Sequence, residues 1–318
     1  MKDDAISPII AAMLILAAIV TFFSIWNTFF VPSMKESAEV EHLQNVESAF
    51  VHFSSDIDYA VSSHQDKLVF SEPLPLGGGD TLVNPLKSSG ILQVQNEPEP
   101  VYTLNLANGA GATILHLNAT VVNLSYEPVN NFWQDQGYTW QYGYINVTKS
   151  GKLATPLGYY TMTDVTTALN QSGPLQTLAQ SFVAGSATQN MTPLQTTAGY
   201  SVMNGNCTSL DLWMVNVGAS PDHNFVSSNG FGTLKLTTMV SSVQYPDIAY
   251  ITLGSENGVF GNVTLNSWNQ SFDNIQAMCP KNIRPYSFTN GNYEWGIVQP
   301  TSPVAVNLHQ VNITISAS

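Results

Sequence analysis

Residues 3–26 of the chain read DDAISPIIAAMLILAAIVTFFSIW. Two acids and a Ser-Pro step lead into a run with no charged side chain until Lys35. Between Ile9 and Val31 only Thr21, Ser24, Asn27 and Thr28 interrupt it. A membrane-crossing helix needs about 20 predominantly apolar residues, and this stretch supplies them. A cleaved secretory signal has a shorter apolar region, about 7–15 residues, followed by a small-x-small cleavage site. Here the alanine pairs Ala11-Ala12 and Ala17-Ala18 lie inside the run, and the residues leaving it, Trp26 to Pro32, are bulky. The apolar helix is therefore expected to stay with the protein.

Its near end is punctuated. Ser7 is a good N-cap, because a serine hydroxyl accepts an amide hydrogen that the first turn leaves unpaired. Pro8 suits the first helical position, where its missing N–H costs nothing. The helix is predicted to start at Ser7, behind a short polar leader.

Beyond Pro32, which is expected to kink the helix, residues 35–63 are charged but periodic. Val40, Leu43, Val46, Phe50, Phe53, Ile57 and Ala60 recur three or four residues apart and line one helix face. Glu36, Glu39, Glu41, Glu47, Asp56 and Asp58 are expected on the solvated faces. The reading is one long helix, 6–64, with a membrane or filament-core part at 9–31 and an amphipathic part at 35–63. The latter would lay its apolar stripe on a globular head spanning 65–318.

The step Asp4-Ala5-Ile6-Ser7, followed by ISPIIAAMLILAAIV, resembles the processing site and helix start of archaeal type IV pilins and archaellins. In that family a charged and a small residue precede the cut, and the apolar helix follows directly. The resemblance spans roughly the first 60 residues. It implies a leader at 1–5, cleavage after Ala5 by a prepilin-type peptidase, and a mature N-terminus at Ile6. It also implies other pilin-like subunits as partners through the helix. An uncleaved single-pass anchor in membrane lipid is the alternative.

Composition narrows the rest. Charged residues make up only 10% of the chain and the net charge is −13. Nucleic-acid binding needs a basic footprint, so it is not expected. Conventional cytosolic domains carry about 25% charged residues; here Asn, Gln, Ser, Thr, Gly and Tyr supply the polarity, as on exported β-rich proteins. Asn-x-Ser/Thr acceptor sites begin at Asn118, Asn123, Asn146, Asn170, Asn190, Asn206, Asn262, Asn269 and Asn312. All lie beyond the helix, as expected of a glycosylated outward face. The two cysteines, Cys207 and Cys279, are most simply one disulfide in an exported domain; two buried free thiols are the other reading.

Segments 90–95, 112–128, 137–148, 232–243, 247–254, 258–268 and 304–316 are rich in β-branched and aromatic residues and are separated by turn residues. They predict an α+β protein: a long N-terminal helix, then an antiparallel β-sandwich-like head of one or two units. In the last segment Val304, Val306 and Leu308 alternate, and the phase then slips to Val311, Ile313 and Ile315. That slip predicts a β-bulge near His309-Gln310. Segment 170–200, low in charge and rich in Gln, Thr, Ser and Gly, reads as a linker or surface insertion.

Chemistry-bearing motifs are sparse. The six histidines are scattered, and no H-E-x-x-H, paired C-x-x-C, P-loop or G-x-S-x-G is present. LGGGD at 76–80 lacks the Lys-Ser/Thr of a phosphate loop and reads as a turn. No enzyme and no cofactor are expected. Tyr138, Trp140, Tyr142 and Tyr144 alternate, so on one strand they would share a face. Exposed, they would make a sugar-stacking ligand platform for a surface glycan; buried, they would fill the core or meet the helix. Two functions follow as expectations. One is a minor or surface-displayed pilin-like subunit; the other is a membrane-anchored extracellular protein that binds glycan or solute, or adheres.

Overall fold

One unbroken helical column runs from Ile6 to Ser63 in the structure, a computed structural model. It consists of α1 (Ile6–Ile25), a π-helical turn (Trp26–Phe30) and α2 (Val31–Ser63). The structure describes residues 6–80, 87–129, 135–149, 152–157, 183–194, 202–254, 268, 273, 275–277, 287–289, 292–296 and 305–318. Ser7, the expected cap, already lies inside α1 among the described residues.

Pro32 acts on the column, though as a widened turn. Proline has no N–H to give the carbonyl four residues back, and its ring crowds that carbonyl. The preceding turn takes in one extra residue, so that Val31 N–H reaches the Trp26 carbonyl. The column then continues to Ser63, where His64 adopts left-handed backbone angles (φ 52°) and ends it.

The described residues of the head are mostly β-structure, with helical residues at 268, 273 and 275–277. Its strands are β1 (Val69–Pro75), β2 (Ser89–Asn96), β3 (Tyr102–Asn108), β4 (Thr113–Ala119) and β5 (Val122–Val129). Then come β6 (Gln136–Gln141), β7 (Tyr144–Lys149), β8 (Lys152–Pro156), β9 (Val183–Leu194) and β10 (Val202–Ser228). The last are β11 (Phe231–Tyr245), β12 (Ile248–Gly254), β13 (Ser287–Thr289), β14 (Asn292–Gly296) and β15 (Ala305–Ala317). Among the described residues they form a ten-stranded sheet, ordered β1-β11-β15-β10-β2-β5-β6-β7-β8 with β9 also on β10, and a five-stranded sheet, β13-β14-β12-β3-β4. The α+β class is as expected, and among the described residues the pairing is antiparallel except for β10 with β15.

The large sheet is covered on both faces, and this explains the phase slip in β15. Its ladders to β10 and β11 run from Ala305 to Ile315 and from Val306 to Ala317 without a register shift, so the expected bulge at His309-Gln310 is absent. Instead, burial changes sides along a regular strand. Val306 and Leu308 are buried on one face; Val311, Ile313 and Ile315 are buried on the other. β10 does the same in register, with Leu212 and Met214 on the first face and Val215 and Val217 on the second. The end of α2 lies on the second face, where the His64 ring stacks on Trp213 at 4.8 Å. The small sheet's side lies on the first: Thr120, between β4 and β5, gives both its N–H and its hydroxyl to Asn216 Oδ1.

Other expectations change in detail. Segment 112–128 is two strands, broken at Thr120-Val121. Segment 170–200 is not purely a linker, since Val183–Leu194 forms β9 on β10; its polar residues gain strand structure from a neighbouring backbone, and the flanking residues lie outside those described. The segment at 258–268 lies outside them too, except Trp268, which is buried against Tyr102.

Candidate functional site

Two features of the helix define the site: its first half is bare and its second half is gripped. Met13, Leu14 and Phe29 are 66%, 66% and 68% exposed, and the other large apolar side chains from Ile10 to Phe30 are open as well, except Trp26, which is half-buried between Phe22 and Phe30. This helix is long and apolar enough to cross a membrane. At 1.5 Å per residue, residues 9–31 match a hydrocarbon layer of about 30 Å. The small residues Ala17, Thr21, Ser24 and Thr28 follow one another at three- or four-residue steps. The Thr21 and Thr28 hydroxyls bond back to the carbonyls of Ala17 and Ser24, so neither needs an outside partner.

The grip begins at Glu39. Leu43, Val46, Phe50, Phe53, Ile57 and Ala60 are buried on the sheet, as the periodicity predicts. Burying each large member contributes about 1.5–3 kcal/mol. The edge of the stripe differs from expectation. Val40 is exposed, whereas Glu39 and His42 are buried, so Glu39 does not lie on a solvated face. The reason is the loop above them. Leu76-Gly77-Gly78-Gly79-Asp80, expected as a turn, lies directly on this part of α2. A Cβ at Gly78 would sit 2.4 Å from the His42 ring, and one at Gly79, where φ is +76°, 3.1 Å from the Glu39 chain. Only glycines permit that approach.

Polar atoms run along the seam and are paired. Tyr126 donates to the Leu76 carbonyl at 3.3 Å, which leaves its oxygen to accept from His42 Nε2 at 2.9 Å. Tyr138 donates to Glu47 Oε2 at 3.1 Å and accepts from Gln136. Trp140 donates its indole N–H to Ser54 Oγ at 2.9 Å. Burial lowers the His42 pKa, partly offset by Glu39, so the ring stays neutral there. Burial, with the Glu47 charge adding to it, raises that of Tyr138. Asp58, half-buried near the column's end, is raised to about 6 by burial.

The aromatic residues 138–144 are therefore not an exposed ligand platform, which corrects that expectation. They do not occupy one strand: β6 turns into β7 at Tyr142 and Gly143, both with positive φ, a two-residue hairpin turn. Tyr138, Trp140, Tyr142 and Tyr144 are all buried, and the core reading is the one the geometry carries. The sequence offered one signal that went unread, the polar pair Glu39 and His42 embedded in the apolar stripe.

Of the other expected site residues, Asp4 and Ala5 lie outside the described residues, and Ile6 is the first residue of α1. Cys207 is buried on β10, and Cys279 lies outside the described residues. Asn118 is exposed on β4. Asn146 is half-buried, and so is Asn123, whose buried Oδ1 has no hydrogen-bond partner among the described residues. Asn312 accepts from Asn216 inside the sheet. Asn190 and Asn206 fall in β9 and β10, and Asn170, Asn262 and Asn269 lie outside the described residues. Among the described residues no group of His, Cys, Asp and Glu is arranged to hold a metal ion.

Comparison of the chain with protein-family models, with curated proteins and with solved structures finds no match.

Proposed function

We propose that this protein is an archaeal type IV pilin-like cell-surface subunit, a minor or surface-displayed component of a pilus-like filament. The observation that carries the reading is the split helix. Residues 10–30 are predominantly apolar and, but for the half-buried Trp26, exposed among the described residues, while α2 is fixed to the head by buried rings and a polar seam. Such a helix must be covered by lipid or by other apolar helices. In this reading a prepilin-type peptidase cuts after Ala5, the head lies outside the cell, Cys207 and Cys279 form a disulfide, and exposed acceptor asparagines such as Asn118 carry glycans. Closing that loop would stabilise the head by about 4 kcal/mol in the chain-entropy model.

The decisive experiment replaces Ala11 and Ala18 with Leu. Apolar helices associate by close packing of small residues rather than by a hydrophobic drive. The double variant is expected to insert, to be processed and to fold, yet to lose filaments or oligomers. Assembly like wild type would favour the second reading, a singly anchored extracellular binding protein. The observation that favours that alternative is an open polar face on the small sheet.

A further inference from the structure

We propose that the outer face of the five-stranded sheet is a binding site for a neutral saccharide, with Tyr250 as its stacking platform. This does not depend on whether the N-terminal helix assembles. Along β3 and β12, Leu104, Leu106, Ile251 and Leu253 turn inward and are buried. The opposite face carries Tyr250, Thr252, Asn105 and His116, all open or half-open. Tyr250 is 36% exposed, and its cross-strand neighbours are Ala107 and Gly296. Neither has a side chain that would cover the ring.

Two register shifts converge here, one between Ile248 and Tyr250 and one between Leu106 and Ala107. Bulges of this kind re-aim side chains next to functional sites. The adjoining turn is braced from within. Asn108 Oδ1 accepts the N–H groups of Ala110 and Ala112. At Gly111, where φ is +79°, a Cβ would meet nothing within 4 Å, so the space above the turn is open. The result is an open depression of about 500 Å³, floored by Ala107, Gly109, Ala110 and Gly111 and walled by Tyr250 and Thr252. Its size lies in the range of small-ligand sites.

The chemistry selects the ligand class. A tyrosine gives a large rigid face at low entropic cost, suited to the C–H face of a pyranose. Thr252 and the hydrogen-bonded pair Asn105 and His116 offer donors and acceptors to hydroxyls. Among the described residues no cationic side chain lines the depression, so an anionic sugar or a phosphate finds no counter-charge there.

The test titrates the full chain, held in a non-glycosidic detergent, with neutral tetrasaccharides of glucose, mannose, galactose and N-acetylglucosamine, followed by calorimetry. Wild type is expected to bind at least one with a Kd of about 1 mM or tighter, Tyr250→Ala to weaken that binding about tenfold or more, and Tyr250→Phe to stay within about threefold. Thermal melting of each variant checks the fold, which an exposed ring should leave unchanged. Absence of binding by wild type, or equal binding by Tyr250→Ala, would overturn the proposal.

Discussion

Trp140 on β6 and Ser54 on α2 meet through one hydrogen bond, indole N–H to Oγ at 2.9 Å, with Trp140 wholly buried. The pair joins the stalk to the sheet farthest along a seam whose other members are His42 with Tyr126 and Glu47 with Tyr138. Ser54→Ala is expected to leave the indole donor buried without an acceptor and to cost about 1–3 kcal/mol. Urea unfolding followed by tryptophan fluorescence reads this directly, and a loss under about 0.5 kcal/mol, the range of neutral surface changes, would mean that the bond is dispensable.

Gly78→Ala should be costly because of one neighbour. The new methyl would collide with the His42 ring, and overpacking of this kind typically costs about 1–3 kcal/mol. Shortening His42 to Ala should relieve much of that cost. A double-mutant cycle is therefore expected to show coupling well above the ~0.5 kcal/mol seen between independent sites. Additive costs would place the strain elsewhere in the loop.

Opposite pH dependences are expected from Asp58 and His42. Asp58 has a folded pKa of about 6 against an ordinary 3.8. Between those values the folded chain keeps a proton that the unfolded chain has released. Its contribution is therefore present at low pH and lost as pH rises through about 6. His42 is shifted down from 6.5, so its contribution is present above 6.5 and lost as pH falls below it. Asp58→Asn should accordingly stabilise the protein at pH 7 and change little at pH 4, as read from urea midpoints at each pH. A gain of equal size at both would rule out the buried carboxylate as the cause.

The helix and its apolar stripe were legible because a period of three to four residues over thirty positions has one interpretation. Phe50, Phe53 and Ile57 lie where it places them. The sheet was harder to read, for physical reasons. Alternation in β15 assumes one buried face, yet this strand buries one face at Val306 and the other at Val311, and the change mimics a bulge. The aromatic run failed on Tyr142, a residue that seldom adopts positive φ and gave no turn signal beyond the following Gly143. β9 was missed because its residues carry little β-propensity of their own and draw their pairing from β10. The seam's polar pairs are set by contacts between distant segments, which no local pattern records.

Topology gives a further expectation. With the head outside the cell, protease treatment of intact cells should remove it, and thiol reagents should fail to label Cys207 and Cys279 until a reductant is added. Protection of the head in unbroken cells, or labelling of both cysteines without reductant, would contradict an exported, disulfide-bonded head.

The measurement closest to the central claim is the N-terminal mass of the native protein recovered from sheared surface filaments. A pilin-like subunit cut after Ala5 should be present in that fraction and begin at Ile6. A chain confined to the membrane fraction with Met1 intact, or one starting beyond Val31, would contradict it.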